Sequence, residues 1–373
     1  GRHPAVGVPA PMPRVLVTGA TGFVGSHVVD ALIERQHYTI FVLCRRGSQL
    51  QTAKQRERTQ RLDGDISVAA DVDAALKSAQ PAVVLHLAGV YAWWQGDRSR
   101  YSSVNVEGVK NLLAACKTHG GGVKLIHVST VLAYGNPPGR GLSPDTAFDE
   151  DTPAGPAASQ YAGSKHEGDC IAQAAFEDGS VDGCTCFLAC CIGADPKLLD
   201  PHRDVMKIKD LVEGRVPATI TSETTFTYVY VRDAAEAIVK AAELHGNERG
   251  ERYLIGNQRL QTGEFYSLIA ELSGQPRPRF EVPAWLALSA GHMASWFASR
   301  VSGRSPTAPA DLVRTAVKGT LLFDASKSER VLGIRYTGIR VAFSEAIDMI
   351  TSSAVDVPSD HLQASEPLVT HNK

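Results

Sequence analysis

Tyr161 and Lys165 stand four residues apart in the run Tyr161-Ala-Gly-Ser-Lys165. On a helix that spacing puts a phenol and an ammonium on one face. A cation beside a phenol favours the phenolate and lowers its pKa. Such a pair can pass a proton to or from an oxygen whose carbon is being reduced or oxidised. Ser129-Thr130 closes an apolar run of strand type upstream and offers a hydroxyl to hold the same oxygen.

A second constellation lies near the start. Residues 15–25 read Val-Leu-Val-Thr-Gly-Ala-Thr-Gly-Phe-Val-Gly, so Gly19, Gly22 and Gly25 follow a strand and open a helix. Glycines there permit a tight turn and close approach of backbone to a pyrophosphate, and the helix N-terminus adds free N–H groups and partial positive charge. Thr21, Phe23 and Val24 belong to the same turn. The end of the second strand selects between dinucleotides. A carboxylate there grips a ribose 2′-OH, but this chain has Cys44-Arg45-Arg46, and two guanidiniums suit a 2′-phosphate. The expected cofactor is therefore NADP(H) rather than NAD(H). Asp65-Ile66, after Gly64, contacts the adenine edge or caps the next helix; the sequence leaves both open.

These groups need a scaffold that brings them together. Arg14–Thr18, Tyr38–Cys44, Ala82–Leu87, Lys124–Ser129 and Thr185–Ile192 read as strands. Phe23–Gln36, Val104–Lys117 and Tyr161–Ala175 read as helices between them. That alternation predicts an α/β fold, a doubly wound parallel sheet with helices on both faces. Lys207–Glu213 and Arg232–Leu244 read as further helices around a strand at Thr225–Val231. From Gly256 onward a smaller, mostly helical part is expected. The expected organisation is an extension at 1–12, a Rossmann domain at 13–188 rejoined by 224–256, a substrate domain from 189–223 and 257–350, and a disordered tail at 351–373.

Composition narrows the classes. The 373 residues carry a net charge of −2 without a basic block, which argues against nucleic acid as partner. Seven cysteines with no C-x-x-C pair and no histidine cluster read as reduced thiols of a cytoplasmic protein, with no metal site. Residues 1–11 lack the apolar core of a signal peptide. Val282–Ser299 is uncharged but too polar for a stable membrane span; a packed or surface helix is expected, with peripheral membrane contact as the lesser alternative.

Taken in order, Thr18–Gly25, His86-Leu-Ala-Gly89, Asn105-Val-Glu-Gly108, Ser129-Thr130 with Tyr134-Gly135, Tyr161-x-x-x-Lys165 and Tyr228–Asp233 resemble the extended short-chain dehydrogenase/reductases. The similarity is greatest to the dihydroflavonol-reductase-like branch. The resemblance implies that Thr130 is the catalytic hydroxyl, with Ser129 as its neighbour and fallback. It implies that Asn105 holds an active-site water or the local geometry, and that Leu87, Ala88 and Gly89 line the nicotinamide ribose. Arg232 is implied near substrate or cofactor, with a surface ion pair to Asp233 as the plainer reading. A homodimer is common among such relatives. One departure stands out: relatives carry a proline before Gly193, where this chain has Phe187-Leu-Ala-Cys-Cys-Ile-Gly193. Cys191 and Ile192 are then the expected neighbours of the nicotinamide.

Tyr91, Trp93, Trp94 and Tyr101 follow the strand ending at His86, where open α/β sheets place their crevice. They suggest a flat apolar or aromatic substrate, with Phe148, Phe226 and Trp285 as further contributors. Few basic residues are expected at the mouth. The reading that results is an NADPH-dependent reductase of ketones or aldehydes with Tyr161 as proton donor. A sugar epimerase or dehydratase, or a 3β-hydroxysteroid-type dehydrogenase, is the alternative on the same scaffold. A non-catalytic dinucleotide sensor ranks last, because Tyr161 and Lys165 are both present.

Overall fold

Short runs of apolar residues, buried on both faces, form the middle of the structure. In β1 (Arg14–Thr18), Val15 and Val17 face one hydrophobic cluster and Leu16 the other. This is the period-2 alternation of a strand covered on both sides. The structure is a computed structural model that describes residues 12–119, 122–199, 207–221, 223–244 and 249–355. The expected extension at 1–12 and tail at 351–373 lie almost wholly outside these residues.

From β1 the chain passes through α1 (Phe23–Arg35), β2 (Thr39–Cys44), α2 (Ala53–Arg58), β3 (Thr59–Asp63), α3 (Ala69–Ala79) and β4 (Val83–His86). It continues through α4 (Ser99–Ser102), a π-helical turn (Ser103–Glu107), α5 (Gly108–Thr118), β5 (Lys124–Thr130), α6 (Gln160–Glu177) and β6 (Asp182–Leu188). Next come β7 (Cys190–Ile192), α7 (Ile208–Val212), β8 (Ala218–Thr219), β9 (Thr225–Tyr230), α8 (Val231–Glu243) and β10 (Arg252–Ile255). The last elements are β11 (Gln258–Gln261), α9 (Thr262–Ser273), β12 (Phe280–Glu281), α10 (Ala284–Phe297), α11 (Ala310–Lys318), α12 (Ser326–Leu332) and α13 (Ile339–Val355).

Seven strands make one parallel sheet in the order β10-β6-β5-β4-β1-β2-β3. Helices α1 and α8 cover one face through Val28, Leu32, Ala234 and Ile238. Helices α3, α5 and α6 cover the other through Leu76, Leu112 and Phe176. A smaller sheet, β11-β9-β7, and the pair β12-β8 stand beyond the C-terminal ends of the main strands, and a third cluster packs β7 and β9 against α7, α9 and α13.

Four regions differ from the sequence reading. The run read as one strand at 185–192 is two: β6 joins the main sheet and β7 pairs with β9, the switch falling at Ala189, whose N–H bonds Ile255 O. The polar stretch before Arg61 holds α2 and β3, an edge strand with its side chains mostly exposed, which is why apolar periodicity does not reveal it. The helix read from Val104 starts at Ser99 and contains the π-helical turn. Helix α13 also runs five residues past the expected limit at 350.

Candidate active site

The glycine turn is shaped by contacts that no side chain would permit. Gly19 has φ +75°, and a Cβ there would lie 2.6 Å from the backbone joining Leu87 to Ala88. A Cβ on Gly25 would lie 2.1 Å from Gly19 O. The first glycine thus seats β1 against the loop after β4, and the last seats α1 against the turn. Gly22 caps α1 with no side chain to occupy its N–H groups, and the first turn holds no acidic residue. This is a cradle of the size and polarity a pyrophosphate needs. At the end of β2, Arg45 and Arg46 are exposed.

Asp65 does not cap α3. The cap is Val68, and the Asp65 carboxylate accepts from Ser67 N and Oγ at 2.9 and 2.7 Å. Ile66 is buried, with its side chain 3.2 Å from where a Gly108 Cβ would sit and its carbonyl accepting from Asn111. Ala88 packs against Gly19 of the turn, and Thr21, Ala88, Asp65 and Ile66 all lie outside the cavity described next.

A cavity of about 940 Å³ opens beside the turn, between the C-terminal ends of the main strands and the smaller sheet. It brings together Gly19, Gly22, Phe23, Val24 and Gly25 with Leu87, Gly89, Thr130, Tyr161 and Lys165. Cys191 and Ile192 also line it, as does Tyr91, whose ring lies 4.9 Å from that of Tyr161. Two clusters remote in sequence therefore share one space.

Helix α6 starts at Ser159, whose hydroxyl accepts from Ala162 N, so Tyr161 lies in its first turn and Lys165 one turn on. Burial pushes the Tyr161 phenol well above its ordinary pKa; Asp169 and Cys191 act in the same direction, while the Thr130 hydroxyl, a polar partner of the phenol, opposes them. Burial also lowers the pKa of Lys165, with Asp169 restoring part of it. The Lys165 ammonium donates to Val128 O at 2.9 Å. The expected lowering of the phenol by Lys165 is therefore not what this arrangement gives. The phenol keeps its proton, the state a proton donor requires.

Ser129 and Thr130 separate in role. Ser129 Oγ donates to Asp169 at 2.7 Å, in a buried network where His127 Nε2 meets the other carboxylate oxygen at 2.8 Å. His127 stacks on His86 at 5.5 Å, and His86 Nδ1 meets Thr18 Oγ1 at 2.8 Å. Asp169 stands four residues after Lys165, and His127 two before Ser129. Helix and strand periods put each on the right face, a signal the sequence reading did not use. Thr130, not Ser129, is left to face the phenol.

Asn105 is buried in the π-helical turn. Its Oδ1 accepts from Val90 N at 2.8 Å, and its Nδ2 donates to Ser164 Oγ at 2.9 Å and to Val90 O at 3.3 Å. It ties the loop after β4 to α6, so of the roles expected for it the geometric one is seen.

The substrate-side residues divide. Trp93 and Phe226 line the cavity, and the Trp93 indole N–H is buried with no hydrogen-bond partner among the described residues. Trp94 lies outside, its indole N–H reaching Ser299 Oγ at 3.4 Å on the turn after α10. Tyr101 and Phe148 are core residues, the latter packed on Phe323 and Tyr134. Trp285 is exposed on α10. Arg232 is exposed and does not reach the cavity. It lies in the first turn of α8, sits over the Tyr230 ring and pairs with Glu345 at 3.7 Å, while Asp233 binds Thr337. The outer wall comes from a segment the motifs did not mark, including Leu198, Ile208, Leu211 and Val216. Its basic residues exceed the expectation: Lys197, Lys207 and Arg215 all line the cavity, paired with Asp195, Asp210 and Glu213. Burial pushes the Cys190 thiol up to about 12 and Cys191 higher still, so both stay protonated.

Several known proteins share this sequence pattern and fold. The chain is 28% identical over 336 residues to a protein of Synechocystis sp. named "Putative dihydroflavonol 4-reductase", covering 89% of this chain and 92% of the relative. It is 28% identical over 340 residues to "Sterol demethylase protein B" of Methylococcus capsulatus, covering 89% and 96%. It is 29% identical over 306 residues to UDP-glucose 4-epimerase of Mycolicibacterium smegmatis, covering 79% and 93%. The crystal structure of gox2253 superposes with a TM-score of 0.73 at 26% identity, covering 91% of this chain and 98% of that one. The family model of the NAD dependent epimerase/dehydratase family matches residues 15–256. The chain is therefore an extended short-chain dehydrogenase/reductase, an enzyme of the NAD-dependent epimerase/dehydratase family.

Proposed function

We propose that this enzyme is an NADPH-dependent reductase of ketones or aldehydes borne by hydrophobic small molecules. The observation that carries the reading is geometric: the half-buried Tyr161 lines a large cavity with apolar walls together with Thr130 and Lys165. The glycine turn, Leu87, Gly89 and Lys165 would hold the dinucleotide, with Arg45 and Arg46 on a 2′-phosphate. When bound, the reduced nicotinamide supplies hydride to the carbonyl carbon. As the C=O electron pair moves onto oxygen, the Thr130 hydroxyl holds that oxygen and Tyr161 donates its proton, yielding the alcohol. The resulting phenolate takes a proton back from solvent. Lys165, held on Val128 O, supplies positive charge below the phenol while it is ionised. Residues 13–188 with α8 and β10 form the cofactor part in this reading, and the walls from 189–199, 207–221 and 257–321 the substrate part.

The test is oxidation of NADPH against a panel of aromatic, steroid-like and aliphatic carbonyls. Turnover should fall about 100- to 10,000-fold in Tyr161→Phe. Undiminished turnover in that variant would overturn the role of the phenol. One observation favours a second reading, epimerase or dehydratase chemistry on a nucleotide sugar: Lys197, Lys207 and Arg215 in the wall could meet a diphosphate. Turnover of UDP-glucose in the absence of any carbonyl reduction would establish it.

A further inference from the structure

Helix α10 is built inside out. Its small residues Ala287 and Gly291, with Ala298 of the turn that follows, face inward, Gly291 lying against Ala308, Ala310 and Val313. Its large apolar residues face outward: Trp285, Leu286, Met293, Trp296 and Phe297 are 45–70% exposed, and Val301 extends the row. A helix of a soluble protein ordinarily turns such residues to the core. An apolar surface concentrated on one helix marks a contact.

Charge says what kind. Between Arg277 and Arg304 the chain carries four arginines, Arg277, Arg279, Arg300 and Arg304, and a single acidic residue, Glu281. The arginines flank both ends of the helix, all four are exposed, and none pairs with a carboxylate among the described residues. Tryptophans at an apolar face, bounded by arginines, suit the boundary between acyl chains and anionic headgroups. No helix among the described residues is long and apolar enough to cross a membrane, so the contact is with the surface.

We propose that the outer face of α10 docks this enzyme on an anionic lipid surface. The placement has a use. The segment joining α10 to α11 contributes Thr307 and Ala308 to the cavity wall, and α11 adds Leu312. Trp94, next to cavity-lining Trp93, reaches the turn after α10. The docking face therefore backs the substrate cavity, and a substrate dissolved in the lipid would meet its mouth there. Docking itself does not depend on the reductase reading, because its test needs no turnover.

The experiment is flotation of the purified protein with vesicles of phosphatidylcholine alone or mixed with phosphatidylglycerol. The unaltered protein should float with the mixed vesicles, with a blue shift of tryptophan emission. Arg300→Glu with Arg304→Glu should weaken binding about tenfold or more. Met293→Ser with Trp296→Ser should weaken it comparably through lost apolar burial. Unchanged dinucleotide binding in both variants would show that they fold. Failure to float with either vesicle, or equal flotation of the variants, would overturn the proposal. So would a self-associated species in solution that Met293→Ser with Trp296→Ser dissolves and that does not float, since the face would then belong to a second copy.

Discussion

Replacing Asn105 by alanine should loosen the active site without touching a group that contacts the reacting atoms. The amide makes three hydrogen bonds, to Val90 N, Val90 O and Ser164 Oγ, and is 1% exposed. Each bond contributes about 1 kcal/mol net, and the Val90 N–H and Ser164 hydroxyl would lose a partner where water is scarce. The expected loss of stability is about 2–3 kcal/mol. Ser164→Ala removes one of the three bonds and should cost about 1 kcal/mol. The kinetic effect follows from what Asn105 joins. Val90 adjoins Leu87 and Gly89 in the cavity wall, and Ser164 also donates to Tyr161 O at 2.8 Å. Releasing this tie lets the loop and the first turn of α6 move apart. A misplacement on the order of 1 Å costs about 100-fold in rate.

Urea unfolding and steady-state kinetics of the two variants check both parts. An Asn105→Ala protein within about 0.5 kcal/mol of the parent would refute the accounting. A protein destabilised as expected, but with unchanged kcat/KM, would show that the tie serves the fold and does not position Tyr161.

Arg45→Ala with Arg46→Ala should raise the Kd for NADPH about tenfold or more while leaving NADH within about twofold, because charge-assisted bonds to a phosphate are the only interactions removed; equal losses in isothermal titration would refute the 2′-phosphate assignment. Gly25→Ala should abolish dinucleotide binding, since its Cβ would lie 2.1 Å from Gly19 O; binding retained in a fluorescence titration would mean the turn relaxes freely. Stability should fall as pH drops below about 6.5. Burial lowers the pKa of both His86 and His127, the latter against the opposing pull of Asp169, so the unfolded chain takes up protons there that the folded one does not, at up to about 1.4 kcal/mol per pH unit for each ring. Urea midpoints that stay level between about pH 7 and about pH 5 would contradict neutral buried rings.

What the sequence made legible was local. Tyr161 and Lys165 owe their shared space to one helix, and Gly19, Gly22 and Gly25 to one turn, so spacing alone carried the chemistry. Strand β1 and the start of α1 were readable for the same reason, through an unbroken apolar run leading into a glycine turn and then an amphipathic helix. Distance in the chain hid the rest. Arg232 follows a family motif, but its direction is set by Glu345 on α13, more than a hundred residues away. Residues 186–192 are apolar throughout whether they make one strand or two, and the switch at Ala189 is decided by β9 and β10 offering edges in different sheets. The outer cavity wall has no period at all, because α7, β8 and α11 each contribute a few residues to it. The same logic accounts for α10, where an uncharged stretch was visible but its orientation was not. Only the small residues packed against the start of α11 reveal that its tryptophans point outward, and the docking proposal rests on that inversion.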